Sequence, residues 1–229
     1  MTFDKFWEDN IYKKNLQVNK YPFDWVVSTI NRLFSLKNNG SELRSLELGC
    51  GTGNNLKFLL EFGFDSVHGI EGSKAALQHA AEFLPNTSKI KLINADFSSI
   101  PVEDEYYNLV LDRGSISHND LTSCNDILNE ANRVLKPGGY LISNMFSSSH
   151  SELDKAIHLK QTFYQAFQDN ETSSSGLGTS FFSLEEIFEL FSKFEIISCV
   201  HNINEEMVSP LFKKTMWNII AQKPIKQAI

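Results

Sequence analysis

A short glycine-rich stretch, LELGCGTGNN, carries residue types that suit it to hold a ligand against the backbone. Its alternating glycines are Gly49, Gly51 and Gly53, and an acid, Glu47, stands just before them. A dinucleotide-binding loop spaces its glycines as G-x-G-x-x-G, which would require the third glycine where this chain has Asn54. A phosphate would gain from the helix that follows but nothing from a carboxylate beside it. The stretch therefore favours a ligand that carries positive charge and a nucleoside but no phosphate.

A second acid, Glu71, ends a β-rich run in the sequence HGIEGS. A carboxylate at this point can accept hydrogen bonds from both hydroxyls of a ribose, and such charge-assisted bonds are stronger than neutral ones. The same acid would serve a nicotinamide dinucleotide, so Glu71 does not separate the two kinds of ligand. A plainer interpretation is an acid that stabilises the start of the helix at Ser73.

The elements that must position these residues alternate between short β-rich runs and helical stretches from residue 43 to residue 146. This alternation is typical of βαβ units and a parallel sheet. Strands are predicted at 45–48, 66–70, 89–93, 107–111 and 140–144, and helices at 54–62, 73–84 and 121–135. Ser73 and Asp120 are the expected caps of the second and third helices. Because ligands bind beyond the carboxyl ends of such strands, the glycine loop and Glu71 should face one cleft.

The last third of the chain has a different pattern, since residues 147–180 are polar and rich in serine. Ser183 and Glu186 form a capping box, which marks the start of a helix. The predicted elements are an amphipathic helix around 153–167, a flexible run at 172–179, a helix from 183 to about 191, and an antiparallel strand pair at 194–200 and 215–222.

Composition disfavours several classes of protein. The formal net charge of −7 over 229 residues gives no basic footprint for nucleic acid or for an anionic membrane surface. The three scattered cysteines, Cys50, Cys124 and Cys199, and histidines without HExxH spacing predict neither disulfides nor a metal site. The chain has no secretory signal pattern and no apolar run approaching the roughly 20 residues of a membrane span, so we expect a cytoplasmic protein.

Five motifs occur in order along the chain: LELGCGTGNN, HGIEGS, INADFSSIP, YYNLVLDRGSISH and RVLKPGGYLIS. Together they resemble the motifs of class I S-adenosylmethionine-dependent methyltransferases, over residues 42–224. The resemblance implies S-adenosylmethionine as the cofactor, a sulfonium nucleoside without phosphate. The cofactor-binding positions that it implies are Glu47, Gly49, Cys50, Gly51, Gly53, Asn54, Asn55, Glu71, Gly72, Ser73, Ala95, Asp96, Phe97 and Asp112.

The third motif contributes two of these residues with distinct roles. In similar enzymes an acid at the position of Asp96 accepts the adenine amino group, while the next residue, here Phe97, offers an apolar face to the ring. Asp96 could instead be a simple turn residue, and Phe97 an ordinary member of the core.

The resemblance also implies the architecture: a Rossmann-like α/β fold with a doubly wound, mostly parallel seven-stranded sheet, an antiparallel C-terminal strand and helices on both faces. We expect one domain in four parts. These are an N-terminal helical cap (1–40), a cofactor-binding core (41–146), an acceptor-side insertion or lid (147–182), and a C-terminal helix and strand pair (183–229). The first part is helical over 3–36 with a break at 19–22, and its aromatic residues either pack on the sheet edge or cover a ligand.

The fourth motif brings polar residues to the side of the cleft that faces the transferred methyl group in the resembling family. His118 is the candidate base for a hydroxyl acceptor, because histidine titrates near neutral pH, although it could serve only to shape the pocket. Asp112 is expected to contact the methionine end of the cofactor, and Arg113 to clamp an anionic acceptor. The motif is not the Asn/Asp-Pro-Pro-Tyr/Phe type that acts on bases of nucleic acids.

The function predicted from these observations is methyl transfer from S-adenosylmethionine to an oxygen or nitrogen of a small molecule, such as a sugar or another metabolite. Positioning of the reactants would be its main catalytic device. Two alternatives stay open: a non-catalytic nucleoside-binding or partner-binding module on the same fold, and an NAD(P)-dependent oxidoreductase. The sequence leaves the acceptor and the oligomeric state undetermined.

Overall fold

Ten strands and five α-helices make up the part of the chain that this computed structural model describes, residues 3–34, 42–165, 177–208 and 212–225. The strands are β1 (Arg44–Leu48), β2 (Ser66–Glu71), β3 (Ile90–Asn94), β4 (Tyr107–Arg113), β5 (Leu135–Phe146), β6 (Ile157–Lys160), β7 (Phe163–Gln165), β8 (Gly178–Ser180), β9 (Glu195–Glu206) and β10 (Phe212–Gln222). The helices are α1 (Asp24–Phe34), α2 (Asn54–Phe62), α3 (Lys74–Phe83), α4 (Leu121–Val134) and α5 (Leu184–Leu190). No described helix combines the length and the apolar character that a membrane crossing requires.

Seven of the strands form one sheet in the order β3-β2-β1-β4-β5-β10-β9. The pairs from β3 to β5 are parallel, and β10 is antiparallel to both of its neighbours. The predicted fold class, a mostly parallel seven-stranded sheet with an antiparallel C-terminal strand, is therefore confirmed. The strand order reverses between β1 and β4, which is where an open α/β sheet leaves a crevice for a ligand.

Helices cover both faces of this sheet. One apolar cluster packs α4 and α5 on the sheet, with Ile127 and Ile187 fully buried. A second cluster packs α1, α2 and α3 on the opposite face, around Ile30, Leu59 and Ala80. Alternate residues of the central strands point into the two clusters, since side chains alternate across a strand. The doubly wound arrangement holds the carboxyl ends of β1, β2 and β4 side by side.

The predicted helix caps are confirmed. Ser73 accepts a hydrogen bond from the Ala76 N–H, and Asp120 accepts one from the Ser123 N–H. Ser183 accepts from the Glu186 N–H, while the Glu186 carboxylate accepts from the Ser183 N–H, which completes the capping box. These polar contacts satisfy backbone donors that a helix leaves free in its first turn.

The predicted helix around 153–167 is wrong over the described residues. A short 3₁₀ turn (Ser151–Lys155) is followed by the hairpin β6–β7, which pairs through β7 with β8. Gln161 closes the hairpin with a left-handed φ of 44°, a turn conformation that its residue type does not signal. Pairing with a distant strand overrides the local helical spacing. Residues 166–176, including most of the predicted flexible run, lie outside the described residues.

The N-terminal part is less regular than predicted. A single π-helical turn (Trp7–Tyr12) precedes an irregular stretch that includes the predicted break at 19–22, and α1 then begins at Asp24. The end of the predicted helix, at 35–36, lies outside the described residues.

Replacing Ser183 by alanine tests the local origin of α5. We expect the free energy of unfolding to fall by about 1 kcal/mol, because a backbone N–H of the first turn loses its acceptor. Urea unfolding would measure the change. Ser183→Asp is the matched control, since aspartate also accepts this bond and should keep most of the stability; an equal loss in both variants would contradict the capping role.

Candidate functional site

A cavity opens at the carboxyl ends of the central strands, where the strand order reverses. Many of the residues singled out in the sequence line it. These are Glu47, Gly49, Cys50, Gly51, Asn54, Asn55, Glu71, Phe97, Arg113 and His118. Positions 47–55 include the end of β1 and the loop after it, position 71 ends β2, and positions 113–118 run from the last residue of β4. The topology thus brings three separate motifs to one place.

The glycine loop between β1 and α2 needs its glycines for two reasons. Gly49 and Gly51 have left-handed φ angles of 66° and 51°, which side chains rarely adopt. A Cβ atom at Gly49 would also collide with the side chain of Ser115, which comes from the loop after β4. The glycines therefore allow the backbone to turn sharply at the floor of the cavity.

Glu47 is a buried acid with one unused oxygen. Its side chain is only 2% exposed, and Oε1 accepts a hydrogen bond of 2.6 Å from the Asn55 Nδ2. Oε2 has no hydrogen-bond partner among the described residues, and Glu47 lines the cavity. Burial raises the pKa of this carboxyl from 4.5 to about 8. A bound cation would supply the missing partner and favour the charged form.

Glu71 lines the same cavity but is tied to the backbone. Its two oxygens accept from the N–H groups of Gly51, at 3.1 Å, and Ser73, at 2.8 Å. Burial raises its pKa, although these bonds oppose the rise. The carboxylate thus joins the glycine loop to the start of α3, and each oxygen keeps a further lone pair for a ligand.

Asp112 lies below the cavity and not in its lining. It is fully buried, its Oδ1 accepts from the N–H groups of Ser115 and Ile116, and its Oδ2 accepts from the Ser143 hydroxyl at 2.7 Å. Burial raises its pKa to about 6. In this position Asp112 stabilises the turn after β4. It does not line the cavity in which its contact with the cofactor was expected.

His118 lies at the cavity wall with its ring enclosed. Nδ1 is 3.3 Å from the Gly178 carbonyl oxygen, and since a carbonyl only accepts, we assign the proton to Nδ1 and a free lone pair to Nε2. The ring meets Trp7 and Phe146 edge to face, with centroids 5.1 and 5.8 Å apart. Burial lowers the pKa of His118 from 6.5 to about 4, so the imidazole is neutral at pH 7 instead of titrating there as expected.

Of the three predicted residues in the third motif, Phe97 lines the cavity and Ala95 and Asp96 do not. The other predicted cofactor residues outside the lining, besides Asp112, are Gly53, Gly72 and Ser73. Asp96 Oδ1 accepts from both the N–H and the hydroxyl of Ser98, as a turn residue does. Gly53 begins α2, and Gly72 is covered by the ring of Phe3.

The N-terminal segment 3–12 contributes Phe3, Asp4, Trp7 and Tyr12 to the cavity lining, as in the second of the two interpretations of the aromatic N-terminal part, a cover over a ligand. Glu8 Oε2 accepts from the Ser73 hydroxyl at 2.6 Å and from the Ala75 N–H at 3.1 Å, which fastens the segment to the start of α3. Lining residues that were not among the candidate site residues include Phe3, Trp7, Tyr12, Phe23, Phe146 and Lys214. For the first four the sequence signal was the aromatic content of the N-terminal part, whereas Phe146 and Lys214 had no such signal.

The residues present fit a cationic nucleoside. Glu47, whose buried Oε2 has no partner among the described residues, and Glu71 both line the cavity, and Phe97 adds an apolar surface. A phosphate would meet two buried acids instead of basic groups there. Within the described ranges no cluster of His, Cys, Asp or Glu could hold a metal ion.

Comparisons with known proteins agree with this geometry. A family model described as a methyltransferase domain matches residues 39–213. An uncharacterized methyltransferase from Alkaliphilus oremlandii is 29% identical over 155 residues, which are 60% of this chain and 68% of that protein. The solved structure of a methyltransferase from Methanosarcina mazei, described as SAM-dependent, superposes with a TM-score of 0.63 at 23% identity, over 81% of this chain and 94% of that one.

A second solved structure is that of a Burkholderia thailandensis 1,6-didemethyltoxoflavin N1-methyltransferase with that compound and S-adenosylhomocysteine bound. It superposes with a TM-score of 0.61 at 15% identity, over 95% of this chain and 80% of that one. At these identities the two structures show a shared fold.

Gly49→Ala should weaken binding of S-adenosylhomocysteine, because the added methyl group collides with Ser115 at the cavity floor. Gly63→Ala is the matched control, since Gly63 also has a positive φ, of 112°, but open space around its Cβ position. Both variants should lose about 1–2 kcal/mol of stability from backbone strain. Calorimetry should find binding weakened at least tenfold in the first variant alone; equal binding in the two would contradict the floor assignment.

The raised pKa of Glu47 predicts that binding of S-adenosylmethionine depends on pH. Below about 8 the free protein holds a proton on Glu47, and a cationic ligand must displace it. The association constant should therefore rise between pH 5.5 and 7, by up to about tenfold per pH unit for one released proton. Calorimetry would measure this slope, which Glu47→Gln should flatten. An unchanged slope in that variant would assign the proton to another group, such as Asp112.

Proposed function

The chain belongs to the methyltransferase-domain family and uses S-adenosylmethionine, and on that premise we propose that it methylates an oxygen or nitrogen atom of a small-molecule acceptor. The observation that carries the proposal is the two-sided cavity. Buried acids border one half, and the other half is enclosed by aromatic side chains from the N-terminal segment and the sheet.

The acidic half is the proposed cofactor site. Glu47 Oε2 would accept from the amino group of the methionine end, because it is a buried acceptor that lacks a partner among the described residues. Glu71 would accept from the ribose hydroxyls with its remaining lone pairs, and Phe97 would lie against the adenine. Asp96 would accept from the adenine amino group, as the third motif implies, while its Oδ1 also holds Ser98.

The other half is the proposed acceptor site. Trp7, Phe146 and His118 meet edge to face along one wall, and Phe23 stacks under the Arg113 guanidinium at 3.9 Å. The bonds of Glu8 to the start of α3 hold the covering segment in place. An enclosed site of this kind suits a small molecule better than a polymer, and the net charge of −7 disfavours nucleic acid. The Burkholderia neighbour binds a small molecule, which supports the same class of acceptor.

We extend the proposal to the organisation of the chain: one domain, in which parts 1–40 and 147–182 complete the acceptor site around a cofactor-binding core. Two contacts support this division. The segment 3–12 lines the cavity, and Gly178 and Thr179 of β8 lie 3.3 and 3.2 Å from His118 Nδ1.

The catalytic contribution of the chain would be alignment in a dry site. When bound, S-adenosylmethionine supplies a methyl group whose bond to sulfur breaks as the acceptor lone pair attacks, which leaves S-adenosylhomocysteine. Holding two reactants in line can lower a barrier by about 7–11 kcal/mol. The neutral His118 can accept a hydrogen bond at Nε2 and so orient an acceptor hydroxyl or amine. With a pKa of about 4 it is a weak base, so the acceptor proton would leave to solvent at or after transfer.

A transfer assay tests this function. Protein supplied with methyl-labelled S-adenosylmethionine and a cell extract should place label in the small-molecule fraction, and Glu47→Gln should reduce it because the cofactor is held less well. Calorimetry should find that S-adenosylhomocysteine binds and that NADH does not, since the pyrophosphate meets Glu47 and Glu71.

Three results would contradict the proposal. Label confined to proteins or nucleic acids would assign a polymeric acceptor. Binding of S-adenosylhomocysteine without any transfer would favour the non-catalytic module, and tight binding of NADH alone would favour the oxidoreductase.

A further inference from the structure

We infer that the methyl acceptor carries an anionic group, a carboxylate or a phosphate, that binds between Arg113 and Lys214. This assignment rests on the proposed methyl transfer and names the chemical class of its acceptor. It starts from two cationic side chains that line the same cavity from different strands.

Arg113 is a largely buried guanidinium without a polar partner. It ends β4 and lies 3.9 Å above the centre of the Phe23 ring. Asp112, Asp24 and Glu47 act on it through space, yet no ion pair or hydrogen bond joins its side chain to any residue within the described ranges. Arg113 lines the cavity, and its planar fork of five N–H donors matches a carboxylate or a phosphate.

Lys214 reaches the cavity from the opposite direction. It lies near the start of β10, and because β10 is antiparallel to β5, its start lies at the edge where β5 ends. Lys214 forms no ion pair or hydrogen bond with the described part of the chain, although Glu152 acts on it through space. Lys214 and Arg113 line the same cavity, and burial and the charge of Arg113 both lower the pKa of Lys214.

Two unpaired cations in a partly buried space are unfavourable, because buried charges in proteins are normally paired. An anion between them would remove the repulsion and supply the missing hydrogen-bond acceptors. The N-terminal Asp4 also lines the cavity, but it is exposed and caps its own segment by accepting from the Phe6 N–H at 2.9 Å.

The carboxylate of the cofactor is an alternative anion for this place. The residues around Arg113 and Lys214 favour an anionic group of the acceptor instead. Arg113 is influenced by Glu47 of the cofactor half. The charges that act on Lys214 are instead Arg113 and Glu152. Lys214 thus belongs to the acceptor half, next to Phe146, whose partner across the sheet is Met216. The aromatic wall of Trp7 and Phe146 favours an anion attached to a flat or apolar group.

Ligand-observed NMR with protein saturated with S-adenosylhomocysteine tests the inference. The probes are benzoate and phenyl phosphate, with benzamide as the neutral counterpart of benzoate. At least one anion should bind, with at least tenfold higher affinity than benzamide. Lys214→Met should weaken the anion at least tenfold, and Lys214→Arg should retain it. Arg113→Gln should also weaken the anion more than it weakens S-adenosylhomocysteine.

Lys213→Met is the matched control for charge. Lys213 is adjacent on β10 and therefore points to the other face of the strand, outside the cavity lining. Its loss should leave anion binding within about twofold of the wild type, since Lys213 is only partly buried and lies outside the cavity lining, where solvent and salt screen its charge. Thermal unfolding of each variant should confirm that the fold is intact.

Several results would overturn the inference: no binding of either anion, equal binding of benzoate and benzamide, or an equal effect of the two lysine variants. A loss of S-adenosylhomocysteine affinity in both Lys214→Met and Arg113→Gln would assign the cations to the cofactor carboxylate instead. Failure of the wild type to bind S-adenosylhomocysteine at all would contradict the proposed function itself. Retained cofactor binding without a preference for anions would contradict only the anionic acceptor.

Discussion

The burial of one carboxylate, Glu47, is the constraint on which the rest of the site depends. β1 ends inside the fold, so the acid is almost fully shielded from water, with Asn55 holding one oxygen and the other oxygen unpaired among the described residues. Its pKa in the folded protein, about 8, exceeds the ordinary value of 4.5. Its contribution to stability is therefore fully present below pH 4.5 and is lost as the pH rises towards 8. Ionisation of Glu47 in the free protein thus lowers its stability, and a ligand that brings a positive charge would offset this effect.

The division of the cavity into an acidic half and a basic half follows from the sheet. β1 and β2 contribute Glu47 and Glu71, while β4 and the antiparallel β10 contribute Arg113 and Lys214. In the proposed function, opposite charges on the two sides of the cavity would orient a cationic cofactor and an anionic acceptor. The neutral His118 at the junction agrees with a reaction driven by alignment.

Much of the fold could be predicted from interactions between residues that are close in sequence. The caps Ser73, Asp120 and Ser183 and the alternation of strands with helices are encoded within a few residues, and the structure confirms them. The glycine loop and its acid were also recognisable, since their types reflect backbone geometry and charge. The hairpin β6–β7 was not, because its strands depend on β8, a distant partner, and on a turn at Gln161.

The strand ends around the site could be predicted from the sequence, but the contacts of each side chain could not. Asp112 and Asp96 stand at the expected strand ends, but backbone N–H groups and neighbouring hydroxyls hydrogen-bond their carboxylates, and neither residue is in the cavity lining. Trp7 and Lys214 come from segments that are distant in sequence from the motifs. The position of Trp7 depends on packing, and that of Lys214 on the antiparallel strand β10. Sequence motifs carry no signal for such contacts.

Carbon-13 NMR of glutamate side chains would follow the ionisation of Glu47, with its signal assigned by its absence in Glu47→Gln. We expect this carboxyl to titrate near pH 8 in the free protein and to be fully ionised at neutral pH when S-adenosylmethionine is bound. A carboxyl that titrates near 4.5 in the free protein and does not respond to the cofactor would contradict this expectation.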